Sequence, residues 1–449
     1  MKVVVIGAGF GGLGCARALS NPPMADVDVT IVDAKDAFTI GGTWQYAWSG
    51  RVADADTTWK LEDAKANFPG VTWKLRTRVE KLVLYPWDDS KLRHLLLSDG
   101  EELTFDVLVL SPGVVGDAAA IPGMSDTLDV YAHDSIAKQR RDLERMIAAA
   151  KARQRAHDAD ADADEAGAKK KKKKKGKLAI AIGATPYKCP VAPFEVAFIA
   201  DDAFRAAGCR DEIDIVVTSP VPWPLPDPAK EIFTRLMLEK GVEYVPEKKI
   251  KRVTDDGRCL EFDDDDQIAA DVVWSVYPQI APPFIHAAGL AAGGGKGPIG
   301  FVPVDPRTNL IGPISSGCEL AKEGLRDVYC VGDCASVVVG GLNPKPQPKA
   351  GEFAWQMGEM VAHRILKTEG YAHSRVGACI AECGGGGGVL VKPDFTEAVA
   401  DPGLGAVRVS VEEKAAPEGE DAKMAWVNKY VELIFGGKGR AFVAATKAA

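Results

Sequence analysis

The segment Gly7-Ala8-Gly9-Phe10-Gly11-Gly12 follows an apolar run over residues 3–7 and leads into LGCARALS, which has the pattern of a helix. It fits G-x-G-x-x-G between a strand and a helix. A second apolar strand, DVDVTIVDA (26–34), closes on Asp33, about 20 residues further on. This is a βαβ unit built to hold a dinucleotide. Gly7 gives the tight turn, Gly9 lets the backbone approach a diphosphate, and Gly12 lets helix and strand pack closely. Asp33 can take the ribose hydroxyls. The diphosphate would rest on the helix N-terminus, where free amides and the helix dipole favour an anion.

A chain of 449 residues is too long for one core, so two or three domains are expected. A net charge of −8 gives no support to a nucleic-acid partner. No apolar stretch reaches the roughly 18 residues needed to span a bilayer. The first strand starts at the N-terminus with no room for a targeting segment, which favours a cytoplasmic or peripheral-membrane location or a processed mature chain. The nine cysteines are an odd number in a long chain, so a secreted disulfide scaffold is not expected. Cys330-x-x-x-Cys334 and Cys379-x-x-x-Cys383 come closest to a metal-ligand spacing, but each lacks a matching second half. No metal site is expected.

The pattern of elements is that of an α/β protein: two Rossmann-like domains, the first discontinuous with the second inserted in it, and a C-terminal domain. Strand patterns recur at FDVLVLSPG (105–113), KLAIAIG (177–183), EIDIVVTSP (212–220), DVVWSVYP (271–278) and RDVYCVGD (326–333). Residues 1–112 and 298–370 form the two parts of the first domain, 113–297 the second, and 371–449 the C-terminal one. Within the second, 150–176 carries an acidic block and then Lys169 to Lys175, which reads as a disordered, exposed insert. Near the end, Met424, Trp426, Val427, Tyr430, Val431, Leu433, Ile434 and Phe435 suit either a helix lying on a membrane surface or a docking or dimerisation helix.

Two further motifs narrow the nucleotide. VYCVGDCAS (328–336) presents Gly332-Asp333 at a strand end, and DVLVLSPG ends in Pro112-Gly113. Both resemble the FAD motifs of two-dinucleotide-binding flavoproteins, the FAD-dependent pyridine nucleotide-disulfide oxidoreductase superfamily. The resemblance implies FAD, with Asp333 on its ribityl chain. No cysteine lies between residues 16 and 188, so FAD is expected to be held non-covalently.

Where the NAD(P)H-using members need a second glycine loop, this chain has Gly183-Ala184-Thr185-Pro186-Tyr187-Lys188-Cys189. Pro186 and Pro190 remove amide donors, and Tyr187 and Lys188 prevent close backbone approach, so a working nicotinamide site is not expected. Instead PYKCPVAPFEVAFIADDAFR (186–205) and NPKPQPKAGEFAWQMG (343–358) resemble the sulfide:quinone oxidoreductase and flavocytochrome c sulfide dehydrogenase branch. That resemblance implies Cys189 as a redox cysteine, Glu195 as proton carrier and Lys349 near the flavin. It also implies a second redox cysteine in the C-terminal third, where Cys379 fits best and Cys383 is the alternative. The implied activity is oxidation of sulfide or a small thiol, with electrons passing through FAD to a quinone or other acceptor. The alternatives are an NAD(P)H-oxidising flavoprotein, of type II dehydrogenase or apoptosis-inducing-factor kind, and a redox-inactive FAD-binding protein.

Overall fold

Short runs of valine, isoleucine and leucine, such as Val3–Ile6 and Val107–Leu110, are buried along their whole length, as parallel strands covered on both faces require. The structure is a computed structural model that describes residues 1–21, 26–84, 93–163, 174–291, 300–312, 325–340, 344–371, 374–412 and 415–443. A five-stranded sheet has the order Val328–Cys330, Val107–Leu110, Lys2–Ile6, Asp28–Val32, Val71–Lys74, every pair parallel. Its edge strand comes from a stretch of chain far from the other four. A second five-stranded parallel sheet has the order Leu128–Asp129, Val272–Val276, Gly176–Ile182, Ile213–Thr218, Val242–Val245.

Each sheet has a three-stranded antiparallel satellite. The first is Val79–Val83, His94–Leu97 and Glu102–Thr104; the second is Ile250–Thr254, Cys259–Phe262 and Gln267–Ala269. One plan is therefore used twice.

The helix Phe10–Ser20, which leaves the first strand, packs against Gly351–Ile365 along glycines. A Cβ on Gly358 would lie 2.1 Å from the Gly11 carbonyl oxygen, and one on Gly14 would lie 2.7 Å from that of Trp355. The backbones thus approach to a distance that no side chain permits.

The C-terminal piece divides between the two cores. Its antiparallel sheet, Cys379–Glu382, Gly388–Asp394 and Arg408–Val411, places Ala381, Cys383, Val389 and Val391 in the core of the second sheet. Its helix, Pro417–Phe435, buries Val427, Tyr430, Val431, Ile434 and Phe435 in the core of the first, with Met424, Trp426 and Leu433 packed alongside. The apolar stripe is covered by protein, so docking replaces the membrane-surface reading of this helix. Among the described residues, no helix is long and apolar enough to cross a membrane.

The insert also departs from expectation. The helix Ile136–Ala163 runs through the first part of the stretch read as disordered. Ile136, Leu143, Met146 and Ala150 anchor one face of it in the second core. Arg153 donates to the Glu212 carbonyl (3.1 Å) and Gln154 to that of Gly208 (2.9 Å). Alanine, arginine, lysine and glutamine are strong helix formers, and that propensity outweighs the charge blocks. Lys169 to Lys173 lie outside the described residues.

Replacing Gly358 by valine forces the two packed helices apart. We expect a loss of about 1–3 kcal/mol in denaturant unfolding. Gly437→Ala, at an exposed position with open space around it, is expected to change stability by less than about 0.5 kcal/mol.

Candidate active site

Three loops leave neighbouring strands of the first sheet at their C-terminal ends, where nucleotide ligands bind in folds of this kind. They are residues 7–9, 111–113 and 331–335. Gly7 has φ +98°, and a Cβ there would lie 2.2 Å from the Ser111 carbonyl oxygen. A Cβ on Gly12 would lie 1.8 Å from the Gly7 oxygen, so the close packing expected of that glycine is present. Nothing lies within 4 Å of a Cβ on Gly9 or on Gly113. The helix after Gly9 has no acidic residue in its first turn and no side-chain cap, which leaves its amides free for an anion.

Asp33 stands at the rim of this cradle. Its Oδ2 accepts the Ala8 N–H (2.6 Å) and its Oδ1 that of Lys35 (2.7 Å). Burial pushes its carboxyl upward, opposed by those two bonds. Ser111 connects the loops: its Oγ would be 2.8 Å from a Cβ on Gly11 and 3.6 Å from one on Gly332. Open space at Gly9 and Gly113, with uncapped amides and Asp33 beside them, fits the diphosphate and ribose of a dinucleotide.

The cysteine loop comes from the second sheet. After the strand Gly176–Ile182, Cys189 adopts φ +48°, a left-handed conformation uncommon outside glycine. Several bonds hold it there. Its N–H donates to the Lys349 carbonyl (2.7 Å), and its own carbonyl accepts from the Tyr131 hydroxyl (2.9 Å) and the Ala192 N–H (3.0 Å). The preceding Lys188 N–H donates to Gln279 Oε1 (2.8 Å). The Lys349 ammonium donates to the carbonyls of Asp333 (2.6 Å) and Ala335 (2.9 Å) and lies 3.9 Å from the centre of the Phe301 ring. Burial pulls its pKa below the usual lysine value. Gly332, Asp333, Ala335, Pro348 and Lys349 line a small cleft here.

Cys379 opens the first strand of the C-terminal sheet. Burial, then the Glu195 charge, push its thiol up to about 12. The Cys189 thiol is likewise raised, by burial first, then by the charges of Glu195 and Cys379, with Lys423 acting the other way. Cys383 points its sulfur to the Ala381 carbonyl (3.4 Å) within the second core and is not among the charges acting on Cys189. Cys189, Cys379 and Cys383 are all free thiols. Cys330 and Cys334 are a further buried pair, sulfurs 3.0 Å apart, on either side of Gly332-Asp333. Among the described residues, no group of three or more histidines, cysteines or acids is placed to hold a metal.

A buried ionic cluster lies beneath the thiols. Glu195 Oε1 accepts the Glu382 N–H (2.8 Å) and the Lys423 ammonium (2.7 Å). Lys423 also lies 3.8 Å from Glu382 Oε2. Arg51 pairs with Glu382 (2.8 Å) and with Glu420. Burial lowers the Lys423 pKa, but the charges of Glu195 and Glu382 more than restore it, and the group stays above the usual lysine value. The sequence reading missed Lys423, Glu382, Arg51 and Ser111. For Lys423 a signal existed: it shares the helical stripe of Val427, Tyr430, Val431 and Ile434, where a charge is out of place unless paired.

The model of the pyridine nucleotide-disulphide oxidoreductase family matches residues 1–358. The chain is 23% identical over 249 residues to the mitochondrial sulfide:quinone oxidoreductase of Dictyostelium discoideum; the match covers 54% of this chain and 47% of that protein. It is 26% identical over 376 residues to a type II NADH:quinone oxidoreductase of Staphylococcus saprophyticus, covering 81% of each. The crystal structure of the sulfide:quinone oxidoreductase of Aquifex aeolicus has the same fold, with a TM-score of 0.71 over 98% of this chain and 93% of that one, at 17% identity. With a family model matching most of its length, and with the paired parallel sheets and glycine cradle described above, the chain belongs to the pyridine nucleotide-disulphide oxidoreductase family.

Proposed function

We propose that the chain binds FAD non-covalently and oxidises sulfide, or a related thiol or persulfide, through Cys189 and Cys379, with a quinone or other acceptor taking the electrons. The observation that carries this reading is the tie between Cys189 and Lys349. One residue bonds the cysteine loop through its carbonyl and the Gly332-Asp333 loop through its ammonium. Gly7, Gly9, Gly12 and Asp33 would hold the adenosine diphosphate part, and Pro112-Gly113 with Gly332-Asp333 would border the flavin part. When bound, the flavin supplies a two-electron acceptor.

In the oxidised state Cys189 and Cys379 are joined by a disulfide. Hydrosulfide attacks one sulfur, the cysteine S–S bond breaks, and a new S–S bond forms to the substrate. One cysteine becomes a persulfide and the other leaves as a thiolate with the electron pair. Glu195, whose charge reaches both thiols, carries the proton. The Lys349 ammonium, bonded only to neutral carbonyls in the contacts described, supplies positive charge for an electron-rich cofactor.

The likeness to a type II NADH:quinone oxidoreductase supports a second reading, in which NAD(P)H is the donor. Two features weigh against it. Counting from the glycine that follows each strand, the position of Gly9 in the first loop is taken in the second by Thr185, and Pro186 after it has no amide to donate. The following helix, Ala192–Ala206, has in its first turn Pro193, which has no N–H to offer a diphosphate, and the Glu195 carboxylate, already bonded to Lys423.

Anaerobic visible spectra separate these readings. Sulfide is expected to bleach the flavin and NADH to leave it oxidised. Cys189→Ala should slow sulfide bleaching by at least about 100-fold with flavin content unchanged. Unchanged sulfide reduction in that variant sinks the mechanism, and bleaching by NADH alone supports the second reading. Gly9→Ala places a methyl in the open cradle with no protein atom within 4 Å, so it is expected to lower FAD content while thermal unfolding of the apoprotein stays within about 0.5 kcal/mol of the parent.

A further inference from the structure

The buried ionic cluster joins the two cysteine-bearing segments through one cation. Glu195 lies in the first turn of the helix that follows the Cys189 loop, and Glu382 ends the strand that Cys379 begins. Lys423, from the C-terminal helix, reaches both carboxylates. All three are nearly excluded from solvent, at 4% exposure for Glu195, 1% for Glu382 and 5% for Lys423. In the contacts described, Arg51 is taken by Glu382 and Glu420. Among the described residues Lys423 is thus the cation bonded to Glu195, the carboxylate whose field reaches both thiols, while Glu352 acts on Cys379 alone.

We propose that Lys423 is the positioning residue for the thiol pair: bonded to Glu195 and beside Glu382, it holds the segments carrying Cys189 and Cys379 in register and sets a positive charge against the Glu195 carboxylate that faces them. Without it, Glu195 stands as an uncompensated negative charge facing two sulfurs in a region of low dielectric, and a thiolate there becomes harder to form. The charged and titratable groups acting on Cys189 are Glu195, Cys379 and Lys423, with Tyr131 and Tyr187 beside them. Those acting on Lys423 are Glu195, Glu382 and Cys189, with the Tyr46 ring 5.4 Å away. The idea rests on the reading of Cys189 as the redox thiol, but its test needs neither sulfide nor turnover.

The test is the pH profile of Cys189 alkylation by iodoacetamide in the full chain, followed by peptide mass spectrometry. At about pH 8, Lys423→Met is expected to react about tenfold or more slowly at Cys189, the profile moving to higher pH by at least about one unit. Lys423→Arg should restore most of the rate. Glu195→Gln is expected to move the profile the other way, a reversal that loosened packing does not produce. It also serves as the second arm if Lys423→Met fails to fold. Cys259, in the satellite strand Cys259–Phe262, is the internal control and should not change. Superimposable Cys189 profiles in the parent and Lys423→Met, equal slowing at Cys259, or a Glu195→Gln shift in the same direction as Lys423→Met would each overturn the proposal. Failure of sulfide to bleach the flavin, with these shifts present, would remove the sulfide reading and leave the role of Lys423 standing.

Discussion

A 2.7 Å hydrogen bond from the Cys189 N–H to the Lys349 carbonyl joins a loop of the second sheet to the segment that leads into the helix Gly351–Ile365. That helix is locked by its glycines against Phe10–Ser20, the helix of the nucleotide cradle. The position of the cysteine is thereby referred to the cradle through two rigid contacts. A single neutral hydrogen bond contributes only about 0.5–1.5 kcal/mol, so it could not hold a left-handed cysteine alone. The Tyr131 hydroxyl, the Gln279 side chain and the Lys349 ammonium complete the set. A strained residue persists where its surroundings over-determine it, and such residues gather at functional sites.

The ionic cluster follows a different logic. Removing charges from water is costly, and a well-packed apolar substitute is often as stable as a buried ion pair. Stability is therefore a poor reason for Glu195, Lys423, Glu382 and Arg51 to be buried together. Their field is the better one. In a water-poor region it acts strongly on nearby thiols, and salt screens it little. Burial first and the Glu195 charge second push the Cys189 and Cys379 thiols upward, and Lys423 opposes that at Cys189.

Much of this was legible in the sequence, for reasons that vary by residue. Gly7 and Gly12 were readable because one local geometry dictates them, and the structure gives them the tight turn and the close packing expected; Asp33 stands at the strand end, where it accepts the Ala8 and Lys35 N–H groups. The strands were readable because parallel strands buried on both faces are continuous apolar runs. Gly332-Asp333 and Lys349 were picked out by two separate motifs, and the structure brings them within a hydrogen bond of one another. The cluster was not readable, because its members come from four distant segments whose meeting is set by tertiary packing. The helix Ile136–Ala163 was misread because composition was weighed above helix propensity and the stripe Ile136, Leu143, Met146, Ala150. The terminal helix was left between two readings because an apolar stripe does not say what covers it.

The first sheet takes its edge strand, Val328–Cys330, from beyond the entire second sheet. During synthesis the nucleotide cradle therefore emerges early but stays incomplete. Leu108 to Leu110 present an unpaired edge until residue 330 has left the ribosome, while the second sheet, contiguous in the chain from Leu128 to Val276, has all its strands available sooner. Non-local pairing of this kind is slow to form and leaves an adhesive edge meanwhile. The sheet begun first in the chain is thus the one whose strands are all available last.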